Sequence, residues 1–282
     1  MKNIVVIPNV NKDASLEITR KVADELCSLG AEVYVESKYQ SFFSGNVSYY
    51  DLFPESAELI VVIGGDGSML DASHFAIELD IPMIGINLGK VGYLNEVEPQ
   101  DIATLANIFS HHYNIKEKMT LSVIYGDGES VKKSPRLAVN DVVFSHENYL
   151  GIADFTLKSK SGAIRYRADG LAISTPQGST AYSLSAGGPV VSHDVNAFLV
   201  TPICPHSFFN RSIVFPSDES IEVENTGDDN LNVSVDGRHF VTLKKGERCN
   251  VSVSDSALKI LSFKDNNMFS SLFKKMKILE DI

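Results

Sequence analysis

The sequence predicts an α/β plus all-β fold: an N-terminal open parallel α/β domain, then a C-terminal β-sandwich, with the tail of the chain returning to the first domain. Three observations carry this. Up to about residue 117, apolar β-branched runs alternate with stretches of helical spacing, the rhythm of βαβ units. From residue 118, short alternating runs separated by turn residues take over, as in a sandwich. The 282 residues supply enough material for two cores. The expected boundaries are 1–117, 118–257 and a tail, 258–282, packed on the first domain.

Ile4 to Ile7 reads as the first parallel strand. Leu16, Val22, Ala23, Leu26 and Leu29 fall at helical spacing, with Gly30 as the stop. Val33 and Val35 around Tyr34 make a second strand; residues 36–56, without clear period, read as a loop with at most one short helix. Leu59 to Ile63 is a buried strand by its β-branched content. Met69, Ala72, His74, Phe75, Ala76, Ile77 and Leu79 mark the helix after it, and Met83 to Ile86 the next strand. Asn87-Leu88-Gly89-Lys90-Val91-Gly92-Tyr93-Leu94 reads either as a second wall of a crevice or as a loop leading to a helix at 101–109.

In the second domain the strand-like runs are Leu121 to Tyr125, Leu137 to Phe144, Phe155 to Lys158, Leu171 to Ser174 and Ile213 to Phe215. Ile221 to Val223, Leu231 to Val235, Phe240 to Leu243 and Val251 to Val253 follow. Gly126-Asp127-Gly128, Ser161-Gly162, Asp236-Gly237 and Lys245-Gly246 separate many of them, and Leu231 to Val235 alternates into Asp236-Gly237 as a hairpin. Met268, Phe269, Leu272, Phe273 and Met276 give the tail helical spacing.

A formal charge of −11 argues against a nucleic-acid partner, since affinity for that backbone comes from clustered Lys and Arg. The locally basic Lys264, Lys274, Lys275 and Lys277 read as a solvated helix face. Cys27, Cys204 and Cys249 are far apart and odd in number, with no CxxC pair, so neither a zinc site nor a disulfide framework is indicated. The chain enters its first strand directly and contains no long apolar run. No signal peptide, membrane span or membrane partner is expected, and a cytoplasmic location is the default.

Two stretches carry chemistry. Gly64-Gly65-Asp66-Gly67-Ser68 joins a strand to a helix at the carboxyl edge of a parallel sheet, where ligands bind. Its glycines let the backbone bend and come close to a ligand, and the first N–H groups of the helix suit phosphate oxygens. A carboxylate there is repelled by such a ligand. Asp66 therefore makes sense as a proton acceptor, a hydroxyl binder or a holder of Mg²⁺; equally, it reads as the cap of a tight turn.

The second stretch runs from Arg167 to Pro189. Ser174 to Ser185 is dense in hydroxyls, and Pro176 and Gly178 interrupt any strand. Short donors and acceptors, backbone amides and one aromatic face are the groups that bind a ribose, an amide and an adenine ring. The alternative is a helix start capped by Ser179 or Thr180, which leaves Asp169, Tyr182 and Ser185 without a task. Upstream, Ala138 to Phe144 puts Asn140 and Asp141 inside an apolar strand. Burying an unpaired carboxylate is costly, so Asp141 is expected at an exposed edge or bound to something.

Together, Gly64-Gly65-Asp66-Gly67, Asn140-Asp141, Asp169-Gly170 through Thr180-Ala181-Tyr182-Ser183-Leu184-Ser185-Ala186-Gly187-Gly188-Pro189, and Thr201-Pro202-Ile203-Cys204-Pro205-His206 resemble the NAD kinase family. The resemblance extends loosely from residue 1 to about 263. The glycine–aspartate turn is shared with diacylglycerol, sphingosine and 6-phosphofructokinase enzymes; the Asp169–Pro189 run is the specific one. The resemblance implies an α/β domain plus a β-sandwich, in homodimers or homotetramers. It also implies transfer of the γ-phosphoryl group of ATP to the 2′-hydroxyl of the adenosine ribose of NAD, giving NADP.

By the same resemblance, ATP phosphates would lie on Gly64, Gly65, Gly67 and Ser68 with Mg²⁺ or another divalent cation, whose protein ligands it does not identify. Asp66 would be the proton acceptor. NAD would be bound by Asp66, Gly67, Asn140, Asp141, Arg167, Asp169, Thr180, Ala181, Tyr182, Ser185 and Arg238. Asp141 stands where the family often has Glu, Ser68 where Thr is commoner, and Arg238 where a residue such as Gln is common. Two other readings use the same residues. A kinase of a lipid or sugar phosphate predicts a greasy or strongly basic pocket, unlike the small polar Thr180–Ser185 segment. A non-catalytic dinucleotide-binding regulator gains nothing from Asp66.

Overall fold

The computed structural model describes residues 2–89, 92, 94–126, 131–148, 151–206 and 209–263. The expected tail helix and tail lysines, and Lys90, Val91, Tyr93, Asp127 and Gly128, lie outside the described residues. The chain divides into two compact units, one running to Glu117 and regaining the strand Leu258–Ser262, the other spanning Lys118–Ala257.

The first unit is built on a seven-stranded sheet ordered Val47–Tyr50, Glu32–Glu36, Asn3–Pro8, Leu59–Gly64, Met83–Asn87, Leu258–Ser262 and Asn114–Lys118. The first six of these pair parallel. Leu59–Gly64 lies centrally and is buried at every position, as a strand covered on both faces must be. Helix α1, Glu17–Ser28, turns Val22, Ala23 and Leu26 into the core that also holds Ile4, Val6, Leu59, Val61 and Ile84. From Asn3–Pro8 the sheet grows one way through Glu32–Glu36, and from Leu59–Gly64 the other way through Met83–Asn87. The winding therefore reverses between Asn3–Pro8 and Leu59–Gly64. In open α/β sheets a crevice forms at that point.

Four elements of this unit differ from the sequence expectation, the first being the edge strand Asn114–Lys118, whose mostly exposed residues carry no apolar run. Val47–Tyr50 is an edge strand inside the stretch read as loop; all four residues are half-buried, so no alternation marks it. The segment expected as a helix at 101–109 is a 3₁₀ stretch, Pro99–Leu105, that becomes α-helical only over Ala106–Phe109, with Asp101 off helical geometry. Leu258–Ser262, placed at the head of a helical tail, is a strand that joins the sheet through Ile260 and Met83.

The second unit is a sandwich of two six-stranded antiparallel sheets. Phe144, Phe155, Tyr166, Leu171, Phe198 and Val233 fill its core. The run Leu137 to Phe144 is split: Val131–Ala138 belongs to one sheet and Asp141–His146 to the other. Val139 is buried like its neighbours, so the apolar pattern continues through the crossing and hides it. Asn140 therefore lies between strands, and Asp141 opens one. Gly162–Ala168 escaped notice because Arg165 and Arg167 alternate with buried Tyr166 and Ala168. Asp236 and Gly237, with φ of +48° and +75°, make the two-residue hairpin turn joining Leu231–Val235 to Arg238–Leu243. Among the described residues no helix is long and apolar enough to cross a membrane.

Candidate functional site

In the first unit, Leu59–Gly64 passes directly into helix α2, Asp66–Glu78, with Gly65 as the extended residue before it (φ −110°, ψ −170°). No side chain caps this helix. Asp66 is thus not the cap that one reading allowed. Its Oδ1 instead accepts the Leu94 N–H and the Asn95 side-chain amide, both at 3.0 Å, which fixes the carboxylate across the turn. Ser68 Oγ is bonded by Asn9 Nδ2 at 2.7 Å.

The glycines of the turn are not equivalent. A Cβ on Gly64 would stand 2.3 Å from Ser68 Oγ, and one on Gly65 would stand 2.5 Å from Lys12 Nζ. Packing explains Gly64, since Ser68 Cβ would also lie only 2.6 Å away; at Gly65 the close neighbour is the far end of a flexible lysine side chain, which can shift. Among the described residues, a Cβ on Gly67 would meet nothing within 4 Å. Glycine within a helix costs about 0.5–1 kcal/mol relative to alanine, so the fold gains nothing from it there. Open space above bare backbone is what a closely approaching ligand requires.

In the second unit, the N–H groups of Val139, Asn140 and Asp141 all donate to the Asp236 carboxylate, at 2.8, 2.8 and 3.0 Å. Asp236 returns its own N–H to Asp141 O at 2.9 Å. The crossing between sheets is therefore held by the hairpin turn. Asp141 is buried and bound, since the Tyr182 N–H donates to its carboxylate. Burial first, and the neighbouring Asp236 second, push the Asp141 carboxyl up to about 7. Burial also raises Asp236, against the pull of its three N–H donors. Gly178 packs on this crossing so closely that a Cβ would sit 2.0 Å from Asn140 O.

Most hydroxyls of the bend hold the bend itself. Thr175 Oγ1 donates to Val139 O at 2.6 Å and accepts the Gly178 N–H at 3.0 Å. Ser179 Oγ donates to Pro176 O and accepts the Val191 N–H. Thr180 Oγ1 donates to Gln177 O, and Ser183, Thr201 and Ser212 form a chain of hydroxyls. The two short helices, Gly178–Thr180 and Tyr182–Ser185, have no side-chain caps, so Ser179 and Thr180 do not serve as such. Tyr182, Leu184 and Ser185 are the exposed members, while Ala181 is half-buried.

A cavity of about 510 Å³ in this unit brings Asp169 and Tyr182 together with His146, Asn148, Cys204 and Asn232. Asn140, Asp141, Arg167, Ser185 and Arg238 are not among its lining residues. Arg167 lies on the outward face of Gly162–Ala168, and Arg238 follows the hairpin turn; both are exposed. Asp169 bonds the Cys204 thiol and pushes it up. His146 and Asn148 come from one segment and Asn232 from another, and they left no local signal in the sequence. Asn95 lies one residue beyond the glycine-bearing stretch read as a second wall. Asn9 and Lys12 follow the first strand as the glycine turn follows Leu59–Gly64; that symmetry was the available clue.

Residues 4–113 match the ATP-NAD kinase N-terminal domain, and residues 139–263 the ATP-NAD kinase C-terminal domain. The NAD kinase of Lachnoclostridium phytofermentans is 33% identical over 283 residues, spanning 98% of this chain and 99% of its own. That of Lachnospira eligens is 39% identical over 229 residues, 79% of this chain and 78% of its own. A crystal structure of yeast NADH kinase complexed with NADH aligns at a TM-score of 0.86 and 22% identity, over 98% of this chain and 88% of that one. An NAD kinase from Archaeoglobus fulgidus in complex with ATP aligns at 0.73 and 23% identity, over 96% and 99%. The two solved structures establish the likeness of fold, and the two curated relatives, each at least 30% identical over most of its length, establish kinship: the chain belongs to the NAD kinase family.

Proposed function

We propose that this chain makes NADP by moving the γ-phosphoryl group of ATP to the 2′-hydroxyl of the adenosine ribose of NAD. In that step the ribose oxygen bonds to the γ-phosphorus and the bond from that phosphorus to ADP breaks. The hydroxyl proton passes to the Asp66 carboxylate. The observation that carries the reading is Asp66 itself, a carboxylate beside the glycine turn whose orientation is fixed by Leu94 and Asn95 rather than used in capping. Phosphoryl transfer depends mostly on positioning and charge stabilisation, and the open backbone at Gly67 and the N–H groups after Gly64 and Gly65 suit the ATP phosphates.

Asn140, Asp141, Asp169, Ala181, Tyr182 and Ser185 are the residues we assign to NAD, with Thr180 acting through the shape of the bend and Arg167 and Arg238 as exposed polar contacts. That solved relatives hold NADH in yeast kinase and ATP in the archaeal one supports these ligands. A divalent cation belongs to the reading only as a companion of the ATP phosphates. Among the described residues no three of His, Cys, Asp and Glu converge on a metal position. Homodimeric or homotetrameric assembly and a cytoplasmic location complete the proposal, both on family resemblance.

The test is NADP formation from NAD and from NADH, each with ATP and with inorganic polyphosphate. NADP from NAD and ATP is expected. Tight NAD binding without product from any donor would favour the regulator, and product only with a lipid or sugar phosphate the other kinase.

A further inference from the structure

We infer that Lys12 is a phosphate-binding residue of the transfer step, its ammonium group meeting the ATP phosphates above the contact between Gly65 and Gly89. This rests on the proposed function and adds a residue that lies outside every motif quoted for it. The first observation is placement. Lys12 follows the strand Asn3–Pro8, the neighbour of Leu59–Gly64, so it stands at the reversal of winding where this sheet opens its crevice.

The second is support. Asn9 N–H bonds Ile63 O at 2.9 Å, Asn9 Nδ2 bonds Ser68 Oγ at 2.7 Å, and Asn9 O receives the N–H groups of Lys12 and Asp13 at 3.0 and 2.9 Å. Asp13 is buried and its Oδ2 accepts both the N–H and the hydroxyl of Thr19. Lys12 is carried on a turn braced on both sides.

The third is charge. Positions for a Cβ on Gly65 and on Gly89 lie 2.5 and 3.4 Å from Lys12 Nζ, so the ammonium rests over two bare stretches of backbone. Among the described residues it has no carboxylate partner, in a chain with 36 acidic and 25 basic residues. It also faces the start of α2, whose aligned peptide dipoles repel a cation. A bound anion relieves that repulsion. A triphosphate offers several oxygens to a point charge of this kind, and the charge spread over the γ-phosphoryl oxygens during transfer is what a nearby ammonium stabilises.

Lys12→Met and Lys12→Arg test this by kinetics, by calorimetric binding of ATP and of AMP, and by melting. Lys12→Met should lower kcat/KM for ATP by about 10–100-fold, the scale of one hydrogen bond to a charged group. ATP affinity should fall while AMP affinity, KM for NAD and the melting temperature hold, and Lys12→Arg should recover most of the loss. Kinetics for Lys12→Met indistinguishable from those of the unaltered protein would overturn the inference, as would equal losses of ATP and AMP affinity or a fall in melting temperature. If the unaltered protein forms no NADP, the functional reading fails; the ATP-against-AMP comparison still decides whether Lys12 binds phosphates.

Discussion

The strand-to-helix turn of the first unit and the hydroxyl-rich bend of the second are built on opposite plans. The turn uses Gly64 for packing, sets Gly65 beneath the Lys12 ammonium and leaves Gly67 over open space, with Asp66 tied from outside by Leu94 and Asn95. The bend directs Ser179 and Thr180 onto its own carbonyls, Thr175 onto the Val139 carbonyl and Ser183 onto Thr201. Residue chemistry that looks equally suited to a ligand is thus left facing open space at Gly67 and spent on folding in the bend. Density of polar groups measures what a segment can bind only after its internal hydrogen bonds are subtracted.

Asp66→Asn probes the turn most sharply. General-base assistance is typically worth about 10²–10⁴-fold, so turnover should fall by that much. The asparagine Oδ1 still accepts from Leu94 and Asn95, so turnover should fall far more than NAD affinity. Near-normal turnover would remove Asp66 from its role.

The next effect belongs to the carboxylates behind the bend. Asp141 sits at about 7 because it is buried beside Asp236. A carboxyl raised on folding stabilises the protein fully below its unfolded value, near pH 4, and loses that contribution as pH climbs through 7. The span is at most roughly 4 kcal/mol. Urea unfolding at pH 5 and pH 8 should show stability falling with pH, and Asp141→Asn should flatten the fall. Asp236, raised in the same direction, keeps part of the slope. Equal slopes in the two proteins would mean that Asp141 is already ionised at pH 5.

Within the bend, paired substitutions separate the two uses of a hydroxyl. Ser183→Ala breaks the buried bond to Thr201 and should cost about 1 kcal/mol of stability, leaving KM for NAD unchanged. Ser185→Ala, at an exposed position, should leave unfolding within about 0.5 kcal/mol. Its expected effect is a rise of several-fold in KM for NAD. The opposite pattern would assign the inner hydroxyl to the ligand.

What the sequence made legible follows from the range of the forces involved. The central strands were plain because a strand buried on both faces must be continuously apolar, as Leu59 to Ile63 is. The Asp236-Gly237 turn was plain because two consecutive positive φ angles favour those residues. Its second task, holding the N–H groups of residues 139–141, was not, since nothing near Asp236 in the chain announces contacts about a hundred residues away. Asp66 was legible as an anomaly but not the pair that orients it. Lys12 and Asn9 follow the first strand as the glycine turn follows Leu59–Gly64, but only the sheet order, with these two non-consecutive strands side by side, gives that parallel its meaning.

The smallest effect on stability gives the cleanest separation of fold from function. Gly67 is the glycine of the turn whose Cβ would meet no described residue within 4 Å, so Gly67→Ala should leave the protein folded and raise its stability by up to about 1 kcal/mol through helix propensity. If ATP or the ribose approaches that backbone closely, the added methyl group should still lower kcat/KM, by an amount that Gly67→Ser matches or exceeds. A variant that is both more stable and less active locates the ligand at the turn, because no loss of structure is left to explain the loss of rate. One as active as the unaltered protein would leave the glycine without a reason and move the phosphates away from Gly67.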